Sequence, residues 1–515
     1  MNLLTDPWIP VRAEHGTGEF RLLTLEELLC EDNAWWVSIP RDDLELACIQ
    51  LLVCIVQTMF MPKNNVALRE RLSRTITSGE LDASAKPCVE WFDLDHATWP
   101  FMQTRGVKGA ETSLQKLLPG MPEKTSTSKS AHCFFNETSE VESICGPIAA
   151  IALFNQASNS PSFGGGKQGA FKGSLRGNAP VTTLVKGSNL RETVWRNVVT
   201  LPRIQDRLPG YVYDLSKDRP TWVDPIREKQ DIHAHEIGLV RGLFWQPARV
   251  ELVKASKTQS CDVLDDVSGV AYCSFRKKQF GFTVKELWHH PHGAMTVEKK
   301  KGKMEWKFVS FNRFTPAWTW LSEFVVLSPL SDDAKEGATP AAPVSQAAEA
   351  FPGEPLHLIV GGYQAKKALV EARCHELFTL AEGWDEERRG RVKILVELGK
   401  EARGILCGRL EFVARGDKKM CIKGIGVNVH ETGNKLFYSS TETFFHETLR
   451  ERLIFKEWQV AKDAFVARLA SICSQLFDQI TNPYAMKSEL IPVIARERRR
   501  LNNDLNKLSG GGAMS

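Results

Sequence analysis

The chain has 515 residues, 43% hydrophobic and 25% charged, which describes a soluble globular protein with a real core and more than one domain. Its 66 Lys and Arg against 62 Asp and Glu leave a net charge of +4, so any surface for an anionic polymer has to come from local clustering of cations. No uninterrupted apolar stretch reaches bilayer length, Met1–Trp8 lacks the basic start and apolar run of a secretory signal, and the 12 cysteines lie scattered, mostly in apolar runs. Together these predict a cytoplasmic protein with buried free thiols and no membrane partner.

Along the chain, Leu44–Met59 is predicted as a helix, apolar at helical spacing after Arg41-Asp42-Asp43. Asp93 and Asp95 beside His96 have the residue types of a nuclease site, but surface carboxylates next to Trp91 and Trp99 are the plainer reading. Phe134-Phe135-Asn136 sets an aromatic pair in a polar loop, suited to stacking on an unpaired base or to a half-buried turn. Gly146–Gln156 reads as an Ala-rich helix leading to Pro161-Ser162-Phe163-Gly164-Gly165-Gly166-Lys167, where three glycines free the backbone for close approach to another molecule. Lys167, Lys172 and Arg176 add cations, and bare amides with cations suit nucleic acid. The segment is not a nucleotide phosphate loop: Pro161 stands where that motif needs its first glycine, and Gln168 where it needs Ser or Thr.

Pro180–Val185, Gly281–Val284 and Glu305–Val309 are predicted strands. His233 and His235 would share one strand face and could hold a divalent ion, but no third ligand follows, and exposed loop histidines are the simpler reading. His289-His290-Pro291-His292 reads as a proline turn with solvated imidazoles, and no Cys-x-x-Cys pair points to zinc. Basic clusters are more persuasive: Arg276-Lys277-Lys278, a hairpin-like tip at Lys299-Lys300-Lys301-Gly302-Lys303, Lys366-Lys367, and Arg496 to Arg500 could form a track for DNA phosphates. Leu330–Pro355 has linker composition. Beyond it, Ala365–Glu382, Glu386–Ala414, Phe445–Ile480 and Ser488–Leu505 alternate apolar and charged residues at helical spacing, with a less regular insertion at Gly424–Phe437. The predicted fold is α+β: a large irregular mixed domain, residues 1–360, then an antiparallel four-helix bundle, residues 361–515.

Six segments carry a resemblance: Met1-Asn2-Leu3-Leu4 with Trp8-Ile9-Pro10-Val11; Pro40-Arg41-Asp42-Asp43-Leu44-Glu45; His96 with Pro100-Phe101-Met102-Gln103-Thr104; Ala152-Leu153-Phe154-Asn155-Gln156; Gly242-Leu243-Phe244-Trp245-Gln246-Pro247-Ala248; and Val427 with Val429-His430-Glu431-Thr432. In this order and combination the chain resembles the large, CasA-type subunit of the type I-E CRISPR Cascade. The resemblance implies a non-catalytic reader of the protospacer-adjacent motif (PAM), without cofactor, that helps open target DNA and recruits the helicase–nuclease. Its implied partners are the backbone, small and handle-binding subunits, the guide RNA (crRNA) and double-stranded target DNA.

Carried over residue by residue, the resemblance lays Ser162, Phe163, Gly164, Gly165 and Gly166, with Lys167, along the minor groove. It draws the duplex-splitting wedge from Gln364, Ala365, Lys366 and Lys367, and sets Phe134, with Phe135 and Asn136, against the guide's 5′ handle. Lys299 and Lys300 would add phosphate contacts. The family's minor-groove lysine is replaced by Gln279, so Lys278 or Lys277 has to substitute. Zinc-like cysteine pairs found around Cys145 and Cys261 in some members lack their partners here (Ile148 stands at the critical spacing), which implies no metal. Two other readings are a metal-dependent nuclease using His233 and His235, and a stand-alone RNA-binding protein.

Overall fold

The computed structural model describes residues 1–509 except 14–16, 33, 122–140, 164, 167–168, 171–172, 228–230, 266, 301, 313–314, 331–335, 367, 386 and 418–420. Phe134, Phe135, Asn136, Gly164, Lys167, Lys172, Lys301 and Lys367 therefore lie outside the described residues. Two compact units divide the chain. The first comprises Met1–Arg313, Leu327–Ala350 and His357–Leu377, the second Phe314–Val326, Phe351–Leu356 and Phe378–Ser515.

In the first unit, β1 (Ile9–Arg12) pairs antiparallel with β2 (Phe20–Leu23) and β3 (Trp36–Val37). Helix α1 (Asp42–Met59) opens with Asp42, Asp43 and Glu45, whose charges suit the positive helix end. From Leu44 on it is buried nearly all round, as a core helix is. It packs on α2 (Gly146–Ser158), which is wholly buried and has Pro147 in its first turn, where a missing N–H costs nothing. The aromatic centre joins Phe92, Phe101, Phe154, Trp222 and Phe244, with Phe101–Trp222 centroids at 5.2 Å and Phe154–Phe244 at 6.2 Å. Three of these rings come from the segments that carry the family resemblance, so those segments are largely interior.

Strand β4 (Thr182–Val185) lies beyond α2. Strands β5 (Ala248–Lys254) and β6 (Ala271–Gln279) form a long antiparallel pair, with Arg249 opposite Lys278 and Val250 opposite Lys277. The lysine hairpin is present as β7 (Met295–Lys300) and β8 (Lys303–Phe308), turned at Gly302, whose φ of +78° favours glycine; β9 (Glu336–Thr339) adds a third strand. The expected linker is thus structured in part: it supplies β9 and a helix, Ala342–Ala350, whose small apolar residues are buried against the Leu190–Asn197 and Asn65–Ser73 helices.

The largest departure lies at Ala365–Glu382, predicted as a helix. Strands β10 (Leu356–Lys366) and β11 (Leu369–Leu380) form a hairpin there, in the sheet order β11–β10–β4. Val370, Ala372, Cys374, Phe378 and Leu380 recur at period two, and β10 offers a backbone edge that only a strand can satisfy.

The second unit holds α3 (Gly390–Arg415), α4 (His430–Arg450), α5 (Trp458–Thr481) and α6 (Ile491–Ser509). Helix α3 packs on the other three, and α5 packs on α4 and α6, which makes a four-helix bundle. The predicted single helix Phe445–Ile480 is broken between α4 and α5, where the chain turns Ile454 and Phe455 inward. Of the insertion expected to be irregular, residues 424–429 are so, and His430–Phe437 is the start of α4. Its Gly433 lets α4 lie close on α3, since a Cβ there would run into the end of the Leu410 side chain. Among the described residues no helix is long and apolar enough to cross a membrane.

Candidate nucleic-acid interface

Helix α2 ends where the glycine segment begins. Gln156 Nε2 donates to the Pro161 carbonyl at 2.9 Å and fixes the exit of the chain. Gly165–Gly166 then pair antiparallel with Gly169–Ala170, so the segment folds back as a narrow hairpin. Phe163 packs on Phe275 of β6, ring centroids 5.7 Å apart, and the Lys277 ammonium lies 4.6 Å from the Phe163 ring centre, a cation–π contact. Strand alternation puts Phe275, Lys277 and Gln279 on one face of β6 and Arg276 and Lys278 on the other. Of the residues that could stand in for the family's lysine, Lys277 and Gln279 thus share the face packed by the glycine segment, and Lys278 does not. Arg276 is ion-paired with Glu111 at 2.7 Å.

Lys299 and Lys300 end β7 and are exposed. Lys300 pairs with Glu298 at 2.7 Å and Glu305 at 3.4 Å, and Lys307 also bonds Glu298, so part of the hairpin's positive charge is met locally. The residues expected to form the wedge lie at the end of the β10–β11 hairpin. Gln364 and Ala365 are half-buried, and Lys366 is exposed at the tip.

A buried polar chain ties the two hairpins together at their roots. Arg41 grips Asp43 at 2.8 and 3.1 Å and the Pro119 carbonyl at 2.9 Å. The Tyr363 hydroxyl donates to Asp43 Oδ2 at 2.8 Å and accepts from Asn155 Nδ2 at 2.7 Å. Asn159 Nδ2 donates to Asn155 Oδ1 at 3.2 Å. Asn159 Oδ1 in turn accepts from Arg176 and, at 3.0 Å, from Thr182. Burial, with the Asp43 carboxylate alongside, pushes the Tyr363 phenol well above its ordinary pKa and keeps it a donor. Tyr363→Phe is expected to cost about 1–2 kcal/mol, because Asn155 Nδ2 loses its acceptor and Asp43 a donor in the interior; urea unfolding of the purified chain measures it.

Asn155, Asn159, Tyr363 and Thr182 were not read as site residues from sequence. Asn155 does sit in the Ala-Leu-Phe-Asn-Gln segment and Tyr363 directly before Gln364, and a polar residue inside an apolar run was the available signal. Arg176, read as a cation for an anionic polymer, is 3% exposed. Its guanidinium bonds the Ser158 carbonyl at 3.0 Å, the Val181 carbonyl at 3.3 Å and Thr182 Oγ1 at 2.9 Å, so it clamps the end of α2 to β4 beneath the glycine segment. The solvated proline turn is also corrected. His290 and His292 are 3% and 1% exposed, because the turn is folded in against β4, where Thr183 N donates to the His292 carbonyl at 3.0 Å.

For the nuclease reading, the strand ends at His233 and a 3-10 turn, Ala234–Glu236, follows, so the expected shared strand face is not formed. His233 Nδ1 lies 3.2 Å from Glu286, and the rings of His233 and His235 stack at 5.4 Å. Among the described residues no group of three or more His, Cys, Asp and Glu is placed to hold a metal ion. Cys145 and Cys261, which looked isolated, meet: Cys145 N lies 3.3 Å from the Cys261 sulfur. Hydrogen bonding with the Cys145 thiol and with backbone amides pulls the Cys261 thiol down, while Cys145 is pushed up by that bond and by burial.

The family model for CRISPR-associated protein Cse1 matches residues 2–474. The fold is similar to the crystal structure of Thermobifida fusca Cse1, with a TM-score of 0.74 at 17% identity over 99% of this chain and 98% of that one. Cse1 from Acidimicrobium ferrooxidans gives a TM-score of 0.72 at 15% identity over 99% of both chains. A chain from a structure described as a CRISPR RNA-guided surveillance complex gives 0.67 at 16% identity over 97% of this chain and 99% of that one. The α+β fold with its C-terminal helical bundle is that of these structures, and with the family matched across most of its length, the chain belongs to the CRISPR-associated Cse1 family.

Proposed function

We propose that the protein is the non-catalytic large subunit of a type I-E Cascade, reading the PAM from the minor groove and starting the separation of the strands. The observation that carries this reading is the joining of the glycine hairpin to β6 through Phe163, Phe275 and Lys277. It presents bare backbone and a cation on one surface, next to a second hairpin tipped by Lys366. The minor groove shows a pattern that separates A·T from G·C and little else. A reader built of backbone and one or two flexible side chains is correspondingly tolerant, and guide pairing then supplies sequence specificity. The first unit would hold the motif duplex and, through Phe134, Phe135 and Asn136, the handle of the guide RNA. The second would face the other Cascade subunits and the displaced strand, and the opened complex would recruit the helicase–nuclease.

The test is duplex binding by the assembled complex, with and without the motif. Changing Lys366 and Lys367 together to Ala is expected to weaken motif-dependent binding roughly tenfold at near-physiological salt, as two phosphate contacts are lost. Gly165→Val is expected to impair motif engagement with an unchanged melting temperature. Binding unaffected by both would refute the interface. Mg²⁺- or Mn²⁺-dependent DNA cleavage by the purified chain that disappears in His235→Ala would refute the non-catalytic reading.

A further inference from the structure

Beside the β5–β6 pair, on the side opposite the glycine segment, the first unit contains a cleft of about 570 Å³. Four cationic residues line it, Arg105, Lys108, Arg249 and Lys278, and none of its described lining residues is acidic. Two of these cations are held together by the fold itself. Arg249 and Lys278 are direct cross-strand partners, so the sheet itself sets two cationic residues side by side. Arg249 is steadied over the Phe280 ring at 4.8 Å.

The other two stand on a turn pinned at several points. Thr104 N donates to the Val250 carbonyl at 2.8 Å. Gly106 N and Val107 N donate to the Glu251 carboxylate at 3.1 and 2.8 Å. The Arg105 guanidinium donates to the His96 and Asp95 carbonyls at 2.8 and 2.9 Å, which leaves its charge uncompensated by these bonds. Gly106, at φ +71°, makes the turn possible. Both carboxylate oxygens of Glu251 accept from these backbone amides.

A rigid cleft with four positive charges, no acid in its wall and a volume suited to a nucleotide-sized group selects a polyanion, and its preformed geometry lowers the ordering cost of binding one. We infer that this cleft is a phosphate-binding site. Resting on the function proposed above, its occupant in the complex is the sugar–phosphate backbone of a strand that leaves the motif, with Lys278 on the rim.

Two arms test this. In the first, inorganic tripolyphosphate is titrated into the purified full-length chain by calorimetry. In the second, the assembled complex binds motif duplex over a salt series. Lys108→Glu, an exposed change whose melting temperature should match the parent, is expected to weaken one or both at least tenfold, and Lys108→Arg to restore them. Loss in the duplex arm, with a salt slope lower by about 0.9 per phosphate contact, identifies a nucleic-acid backbone. Loss confined to tripolyphosphate identifies a free phosphorylated ligand. If Lys108→Glu alters neither arm, the inference is wrong. In that case Gly165→Val run alongside separates the two failures: a weakened duplex response keeps the proposed function and removes only the cleft, and an unchanged one removes both.

Discussion

Arg176→Met is expected to destabilise the first unit by about 3 kcal/mol, with Arg176→Lys hardly better. Two effects oppose one another. Removing a buried cation relieves its desolvation, and burial does pull the Arg176 pKa down from its ordinary value. Against this, a hydrogen bond to a charged donor contributes about 1.5–3 kcal/mol, and the guanidinium makes four to the groups it clamps. Thr182 and Asn159 keep each other as partners when it is lost. The Ser158 and Val181 carbonyls lose theirs, and these are the groups that join the end of α2 to the start of β4. The loss of several charged bonds outweighs the relief. Lysine has the charge but not the planar fork that reaches all of these acceptors. Urea unfolding of the purified chain, followed by tryptophan fluorescence, measures the effect; an unchanged midpoint would show that the clamp contributes nothing to stability.

Acid should unfold the same unit early. His290 and His292 are buried beside the Arg176 and Arg207 guanidiniums, and burial is the main reason that His292 is pulled down to about 3 and His290 well below its ordinary value. A specific bond enforces neutrality: His290 Nδ1 accepts from His292 N at 3.0 Å and cannot do so when protonated. The unfolded chain takes up both protons below about pH 6.5, whereas in the folded chain His292 resists until near pH 3 and His290 also stays neutral well below its ordinary range. Their contribution is therefore complete above pH 6.5 and is lost progressively as the pH falls through that window. Between pH 7 and pH 5 the loss is about 2 kcal/mol per histidine, or about 4 kcal/mol in all. Urea midpoints at the two pH values test it. A flat response would mean that the imidazoles are hydrated, and replacing His292 with Gln should roughly halve the slope if they are not.

Elements whose pattern admits one structure were legible in the sequence. Helices α1 and α2 are apolar all round and begin with acids or proline, and the β7–β8 hairpin is announced by lysines around a glycine. The β11 strand was not legible, because its apolar residues satisfy two periods at once: Val370, Cys374, Leu377 and Phe378 at helical spacing, and Val370, Ala372, Cys374, Phe378 and Leu380 at period two. Only the edge of β10, a non-local partner, decides between them. The site divides the same way. The tips carrying Phe163 and Lys366 could be found from composition and family resemblance. Arg176, His290 and His292 could not be placed inside, since Asn159, which accepts from Arg176, and Thr183, which holds the His292 carbonyl, are brought to them by the fold.

The buried chain from Arg41 to Arg176 has a consequence for how such a protein can change. Tyr363, Asn155 and Asn159 each accept from one neighbour and donate to the next, between the acceptor Asp43 and the donor Arg176, so a replacement anywhere along the chain strands a polar atom away from water. The exposed ends of the two hairpins carry no such obligation. Sensitivity to a different short tag on the DNA can arise by exchanging a few surface residues at those ends, while the frame that sets their spacing stays as it is.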